Sequence, residues 1–438
     1  MGEYKQYKQE LWRDKRAEIK VDPNIELQDY TGPVRTDLRF TDFSRKQLGN
    51  MYSLAHHYNY AILRAYREFI HDTWGPEDLY EAQEAVWGTT MVSDVYQWVT
   101  EAMKNKGKDL EAFMKHWQID MNTQPGDHFN VIFEMPSKDR GIVTYNRCPV
   151  VEEYEASGKT DRLPGVCKKT CAIGIKNMAA LYNEDIDIKV LAMPPRKSKD
   201  HICCKFEVCY KSKAAKSRQE AKEVDLKIDR KKKDIRGELK INPNVELQDY
   251  SGPFKPDLRI TDFSREQLAR MYLMCHKYDL AMMIAYQGWA IEKHGFDVMA
   301  DMAVDVWGNR LFGAARQINM RFLKLTEPSI DTFMKCWQVD ITALPPNFYQ
   351  TFEKPSKDRG IVTFHTCYAV TTMEPMGMNE QLLKLCAMDP LAIGNSTKLY
   401  HPDMRVKILA FPPRKSPDDV CCKWELYYES KEKTNKSK

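Results

Sequence analysis

The residues of this 438-residue chain best able to do chemistry are its cysteines and histidines, and only some of them recur along it. Cys148, Cys167, Cys203 and Cys204 are matched by Cys367, Cys386, Cys421 and Cys422, and His56 is matched by His276. The other eight histidines have no counterpart; His116, for example, is matched by Cys336. Thiolates are soft ligands that suit zinc, iron and copper(I), and a thiolate is also a nucleophile. Each recurring histidine is followed three residues later by Asn59 or Asp279. Residues three apart on a helix are neighbours, so that side chain can fix the imidazole tautomer. The expected metal set is therefore Cys148, Cys167, Cys204 and His56 in the first half, and Cys367, Cys386, Cys422 and His276 in the second. The metal would be divalent, zinc or iron, and the sequence calls for no other cofactor. A catalytic set would use His56 and Cys148 with Asp139 and Arg140, because an Arg fork suits a carboxylate or phosphate. The plainer reading is small buried thiols, since free cysteine is among the most buried residue types. The long spacings, with no Cys-x-x-Cys, favour that plainer reading.

These matches exist because the chain says nearly the same thing twice. Asp-Pro-Asn-Ile-Glu-Leu-Gln-Asp-Tyr-Thr-Gly-Pro (22–33) returns as Asn-Pro-Asn-Val-Glu-Leu-Gln-Asp-Tyr-Ser-Gly-Pro (242–253), an offset of 220. The offset persists through Trp87/Trp307 and Trp117/Trp337, and falls to 219 at Pro-Ser-Lys-Asp-Arg-Gly, which starts at Pro136 and Pro355. Solenoid units run to only ~20–50 residues, so this is a duplicated domain that predicts an internal pseudo-dimer. The expected boundaries are a charged N-terminal segment (1–20), repeat 1 (21–210), a charged linker (211–240), repeat 2 (241–430) and a basic tail (431–438). The linker's charge run reads as solvated surface.

The elements that must position the cysteines follow from periodicity. Each repeat opens with helices. Ser44-Arg45-Lys46-Gln47 and Ser264-Arg265-Glu266-Gln267 are capping-box patterns. A second helix should carry Val86, Trp87, Met91, Val95 and Trp98, and a short third runs from Leu110 to Trp117. The back of each repeat reads as strands 130–134 and 141–147, a helix near 172–182, and strands 187–193 and 202–210, with the pattern repeated to 405–411 and 420–428. The fold class is thus α+β: two tandem homologous domains, each a helical front half followed by a small antiparallel sheet with an intervening helix. Strand alternation puts Cys204 and Cys422 towards the interior and Cys203 and Cys421 nearer solvent. In Pro-Ser-Lys-Asp-Arg-Gly the stronger reading is turn chemistry, with glycine taking a strained conformation. The basic residues of Pro194-Pro195-Arg196-Lys197 and Pro412-Pro413-Arg414-Lys415 read as solvated loops.

Bulk composition narrows the function. A net charge of +4 on 66 basic and 62 acidic residues is no warrant for nucleic-acid binding. No apolar run is long enough to span a bilayer, and the N-terminus lacks an apolar signal region, so a cytoplasmic protein with no membrane partner is expected. Twelve cysteines should then be thiols or metal ligands. Gly-rich phosphate loops, nucleophile elbows and His-Glu-x-x-His helices are absent from the sequence, which leaves nucleotide-dependent chemistry and serine hydrolysis unsupported.

Arg147-Cys148-Pro149-Val150-Val151-Glu152, Cys167-Lys168, the 188–193 strand ending in Pro194-Pro195, and Cys204-Lys205-Phe206-Glu207 together resemble the L-2-amino-thiazoline-4-carboxylic acid hydrolase-like superfamily of bacterial proteins. Here it would be present as a tandem duplication. The resemblance implies a small-molecule enzyme of hydrolase or related type whose cysteine/histidine site lies mainly in the first repeat. Repeat 2 departs from the pattern, with Cys367-Tyr368 and Cys386-Ala387 in place of Cys148-Pro149 and Cys167-Lys168. Two alternatives stand beside it: a non-catalytic small-molecule binding or sensing protein, and a subunit of a larger complex. The expected partner is a small-molecule ligand or substrate, with a homo-oligomer as a further expectation.

Overall fold

The computed structural model describes residues 14–88, 90–123, 129–167, 171–212 and 226–429. The basic tail, the centre of the charged linker, Lys168 and most of the charged N-terminal segment lie outside them. The class is α+β, with two four-stranded antiparallel sheets. The first sheet is built of β1 (Asn130–Ser137), β2 (Arg140–Arg147), β3 (Ile186–Ala192) and β4 (Cys204–Tyr210), in the order β1-β2-β4-β3. The second repeats it with β5 (Phe348–Ser356), β6 (Arg359–Cys367), β7 (Met404–Ala410) and β8 (Cys422–Tyr428), in the order β5-β6-β8-β7.

The compact units are not the sequence repeats. Unit 1 joins Met1–Thr73 to Gln287–Lys438, and unit 2 is Trp74–Tyr286. Each sheet therefore shares its unit with the front segment of the other repeat. The duplicated motif at 22–33 and 242–253 explains this exchange. In unit 2, the buried Tyr250 hydroxyl donates to Gln118 Oε1 at 2.7 Å and accepts from Lys255 N at 3.0 Å. Gln118 Nε2 then donates to Lys255 O at 2.7 Å. Unit 1 repeats the knot: Tyr30 hydroxyl donates to Gln338 Oε1 at 2.6 Å and accepts from Arg35 N at 3.2 Å, and Gln338 Nε2 donates to Arg35 O at 2.7 Å. The most strongly recurring stretch of the sequence is thus a buried structural hook.

A second anchor comes from the charged segments. Asp234 and Arg236, inside the expected linker, are buried in unit 2 with side chains only 3% and 2% exposed. Arg236 donates to Gln118 O and Thr123 O, each at 2.8 Å, and lies over the Phe133 ring. Asp234 accepts from the β1 amide of Val131 at 2.8 Å. In unit 1, Asp14 accepts from Gln350 N at 3.1 Å, and Arg16 donates to Gln338 O and Ala343 O and lies over Phe352. So the end of the linker is not solvated surface. A buried carboxylate and guanidinium are tolerated here because each satisfies the other and also saturates backbone groups.

The long first helices run Arg45–Trp74 and Arg265–His294. Their capping boxes are half formed. Ser44 and Ser264 accept from the amides of Gln47 and Gln267 at 3.1 and 3.2 Å. The glutamine side chains do not return to the cap; they donate to Phe322 O and Ala102 O at 3.0 and 2.8 Å. A tertiary acceptor has displaced the local one. The expected second helix is two helices, Pro76–Gly88 and Thr90–Met103. Its counterpart passes through a π-helical turn at Val306–Leu311, between Phe296–Asp305 and Phe312–Leu323.

In unit 2 the Leu110–Ile119 helix packs on the inner face of the sheet. Phe113, Trp117, Val131, Phe133, Val143, Tyr145, Phe206 and Val208 form its core. β1 and β2 meet at a two-residue turn, Lys138-Asp139, with Ser137 paired to Arg140. The glycine after it, Gly141, is not in a strained conformation. It is there for space, because a Cβ would come within 2.7 Å of Met114 Sδ. Gly360 faces Met334 in the same way. Gly141→Ala is expected to cost about 1–3 kcal/mol through overpacking, read as a lower urea midpoint.

Candidate thiol-lined site

The recurring cysteines are delivered by different elements. Cys148 follows β2 directly as the N-cap of the Pro149–Ala156 helix, Cys167 ends the Leu163–Cys167 helix, and Cys204 opens β4 opposite Tyr145. Cys171 stands just before the Ile173–Tyr182 helix. Cys148 and Cys167 belong to the buried core of unit 2, and Cys204 packs against that core. Tyr145 borders the group, donates or accepts nothing from the thiols in the hydrogen bonds described, and takes the Trp117 indole N–H on its hydroxyl at 2.9 Å. In unit 1 the same elements present Cys367 at the end of β6, Cys386 at the end of the Asn379–Cys386 helix, and Cys422 at the start of β8. Asp389 stands in the first turn of the Met388–Tyr400 helix, which packs on the Asn379–Cys386 helix.

Cys171 and Asp389 were missed by sequence reasoning. A filter for identical residues cannot retain a thiol in one copy and a carboxylate in the other. The available signal was positional: the offset of 218 that relates Cys204 to Cys422 and Tyr182 to Tyr400 also relates Cys171 to Asp389.

Burial dominates the electrostatics. Desolvation pushes the Cys148, Cys204, Cys386 and Cys422 thiols far up, and Cys367 up to about 12. It also raises the Asp389 carboxyl to about 7. Removing a thiolate or carboxylate from water disfavours its charged form. The thiols are therefore un-ionised at neutral pH, and their own surroundings do not activate them as nucleophiles.

Cys203 and Cys421 are not nearer solvent. They are 1% and 0% exposed, more buried than Cys204 and Cys422. Backbone covers them: Cys203 Sγ donates to Asn146 O at 3.7 Å and Cys421 Sγ to His365 O at 3.4 Å. Arg196 also lies against Cys203, with Nη1 3.5 Å from Sγ. Desolvation raises Cys203 to about 11, with Arg196 opposing the rise. Arg196 is not a solvated loop residue. Its guanidinium is bidentate to Glu155 at 2.7 and 2.8 Å, and Arg414 pairs with Glu374 at 2.9 Å.

The remaining expected site residues are placed as follows. Asp139 sits in the β1–β2 turn, its amide donating to Ser137 Oγ at 3.3 Å. Arg140 donates to Glu207 Oε1 at 2.6 Å, and Arg359 pairs with Glu425 in the same way. Both glutamates lie on the strand next to their arginine, so this recurring pair ties the sheet together. Lys189 Nζ also reaches Glu207, at 3.4 Å, and half of the Arg140 side chain is exposed. Arg140→Ala is therefore expected to cost no more than about 1 kcal/mol, measured by urea denaturation. His56 and His276 are both buried, at 1% and 0% exposure. His56 belongs to unit 1, with Cys367, Cys386 and Cys422, and its ring centroid is 5.7 Å from that of His57. His276 belongs to unit 2, with Cys148, Cys167 and Cys204. The expected pairing of His56 with Cys148 thus does not fall within one compact unit.

Among the described residues, no group of three or more His, Cys, Asp or Glu side chains is arranged to hold a metal ion, and no described helix is long and apolar enough to cross a membrane. No family model, no curated protein and no solved structure matches the chain.

Proposed function

We propose that this is a cytoplasmic small-molecule enzyme of hydrolase or related type, working at the recurring cysteines of its two units. The observation that carries the reading is that Cys148 and Cys167 lie in one buried core with Cys204 packed against it, delivered by three separate elements, and that Cys367, Cys386 and Cys422 recur on the equivalent elements of unit 1. Such grouping of titratable side chains with strongly perturbed pKa values is characteristic of functional sites. The resemblance carried by the Cys-Pro and Cys-Lys-Phe-Glu elements supports the same reading. In unit 2, Tyr145 and Trp117 belong to the same buried core as Cys148 and Cys167. In unit 1, Asp389 adds a carboxyl that can exchange a proton near neutral pH, a property suited to general acid–base work.

A second reading, non-catalytic binding or sensing, draws on the thiols themselves, which are un-ionised and offer contact more readily than attack.

The test is to incubate the reduced full chain with a small-molecule extract and follow consumption by mass spectrometry, beside Cys148→Ser and Cys367→Ser. Consumption by the wild type that falls at least tenfold in either variant is expected. Retention of a compound unchanged would favour the binding reading. Equal turnover in all three proteins would sink the assignment of the site.

A further inference from the structure

In unit 1 the helices Phe312–Leu323, Ile330–Gln338 and Met388–Tyr400 pack on one another and meet at the Tyr400 ring. Arg316 lies over that ring, 5.4 Å from its centre, and the Phe333 ring meets it edge-on at 5.0 Å. The Arg316 side chain is half-buried, with its Nε withdrawn from solvent, and it makes no hydrogen bond or ion pair among the described residues. Other half-buried or buried arginines are matched by carboxylates: Arg39 by Glu18, Arg259 by Glu238, Arg310 by Asp305 and Arg414 by Glu374. Asn319 stands three residues further along the same helix, and residues so spaced are neighbours on one face. It is only 3% exposed, and its side chain also makes no hydrogen bond among the described residues.

The twin corner of unit 2 is built differently. At the offset of 220, Tyr96 stands in the place of Arg316 and Val99 in the place of Asn319. Tyr96 meets Tyr182 edge-on at 4.8 Å. The cation of that corner, Lys108, lies over the Tyr96 ring, bonds its hydroxyl and donates to the Leu181 carbonyl at 3.1 Å. The chain thus satisfies that corner from within. Unit 1 sets two polar side chains where unit 2 has an aromatic and an aliphatic one, and gives neither a hydrogen-bonding partner among the described residues. A ring face attracts a cation without satisfying its N–H groups, and a buried amide without a partner costs stability. Two such residues on one helix face call for a group from outside the chain.

We propose that Arg316 and Asn319 form a binding site for a small oxyanion, a carboxylate or a phosphate group. The guanidinium fork presents parallel N–H donors to two oxygens, and the Asn319 amide adds a donor from the next turn. Tyr400 backs the guanidinium, which limits the freedom it has to lose on binding. The recurring cysteines take no part, so the inference stands apart from the enzymatic reading.

The probes are benzoate and inorganic phosphate, each titrated alone into the reduced full chain by isothermal calorimetry, with benzamide as the uncharged analogue of benzoate. A single anion site per chain is expected; saturation by benzoate identifies the group as a carboxylate, and saturation by phosphate identifies it as a phosphate. Arg316→Gln should weaken that binding about tenfold or more, the loss expected for a charge-assisted hydrogen bond. Arg316→Lys keeps the charge without the fork and should fall between the two. Asn319→Val should weaken binding about threefold while raising the urea midpoint, because it removes an unmatched buried amide. Circular dichroism checks that each variant is folded. The proposal is overturned if neither anion saturates a site, if benzamide binds as tightly as benzoate, or if Arg316→Gln leaves the binding unaltered.

Discussion

Arg236→Ala is expected to destabilise unit 2 by about 3–5 kcal/mol. The guanidinium does three things at once. It neutralises Asp234, bonded at 2.7 and 2.9 Å; it satisfies the carbonyls of Gln118 and Thr123; and it covers the Phe133 ring. Truncation leaves Asp234 charged, 3% exposed and without its cation. It also leaves two carbonyls short of a donor, each a further cost when buried. The loss should be local. Asp234 accepts the amide of Val131, at the edge strand β1, so faster hydrogen exchange at that amide is the first sign, ahead of any change in β6. Arg16→Ala should do the same in unit 1, with Gln350 as the reporting amide. The double substitution Asp234→Asn with Arg236→Met should recover much of the loss, because replacing both members of a buried pair costs less than orphaning one.

A second large effect concerns acid stability. His116 is completely buried, with Nδ1 2.8 Å from the Tyr182 hydroxyl, and its Nε2 has no hydrogen-bond partner among the described residues. Desolvation lowers its pKa to about 3. The folded protein therefore holds this imidazole neutral while the unfolded chain protonates it near pH 6.5. Below that pH the unfolded state binds the extra proton, so stability is present above pH 6.5 and is lost as the pH falls towards 3. At about 1.4 kcal/mol per pH unit, moving from pH 6.5 to pH 5 should cost about 2 kcal/mol from this residue. The second repeat places Cys336 here, which has no such liability. His116→Cys should therefore narrow the gap between urea midpoints at pH 7.5 and pH 5, while wild type shows the full slope. An unchanged gap would mean that the imidazole is charged, or is hydrated, in the folded state.

Much of the architecture was legible without coordinates. The sheet strands, the helix between them and the α+β class follow from period-two and period-3.6 patterning, which is local information. Helix ends were legible to the extent that the cap is local: Ser44 and Ser264 do cap. The second half of each box was not, because Gln47 and Gln267 find tertiary acceptors. Chemical roles fared likewise. That Arg140 and Arg196 would recur could be read from the duplication. That each is committed to a glutamate could not, since Glu207 lies 67 residues and Glu155 41 residues away in sequence.

By itself the sequence determined that there are two copies, which thiols recur, and which elements carry them. Those properties depend on residue identity and short-range periodicity. The tertiary structure alone decided which front segment serves which sheet. The two copies of the hook are nearly identical, so Tyr30 and Tyr250 carry almost no label for choosing between Gln118 and Gln338. The choice is made by packing, through the connectivity of the whole chain. The same step decided the company of the cysteines. It put Cys148, Cys167 and Cys204 at one core and His56 in the other unit, because side chains far apart in sequence meet only where the packed elements bring them.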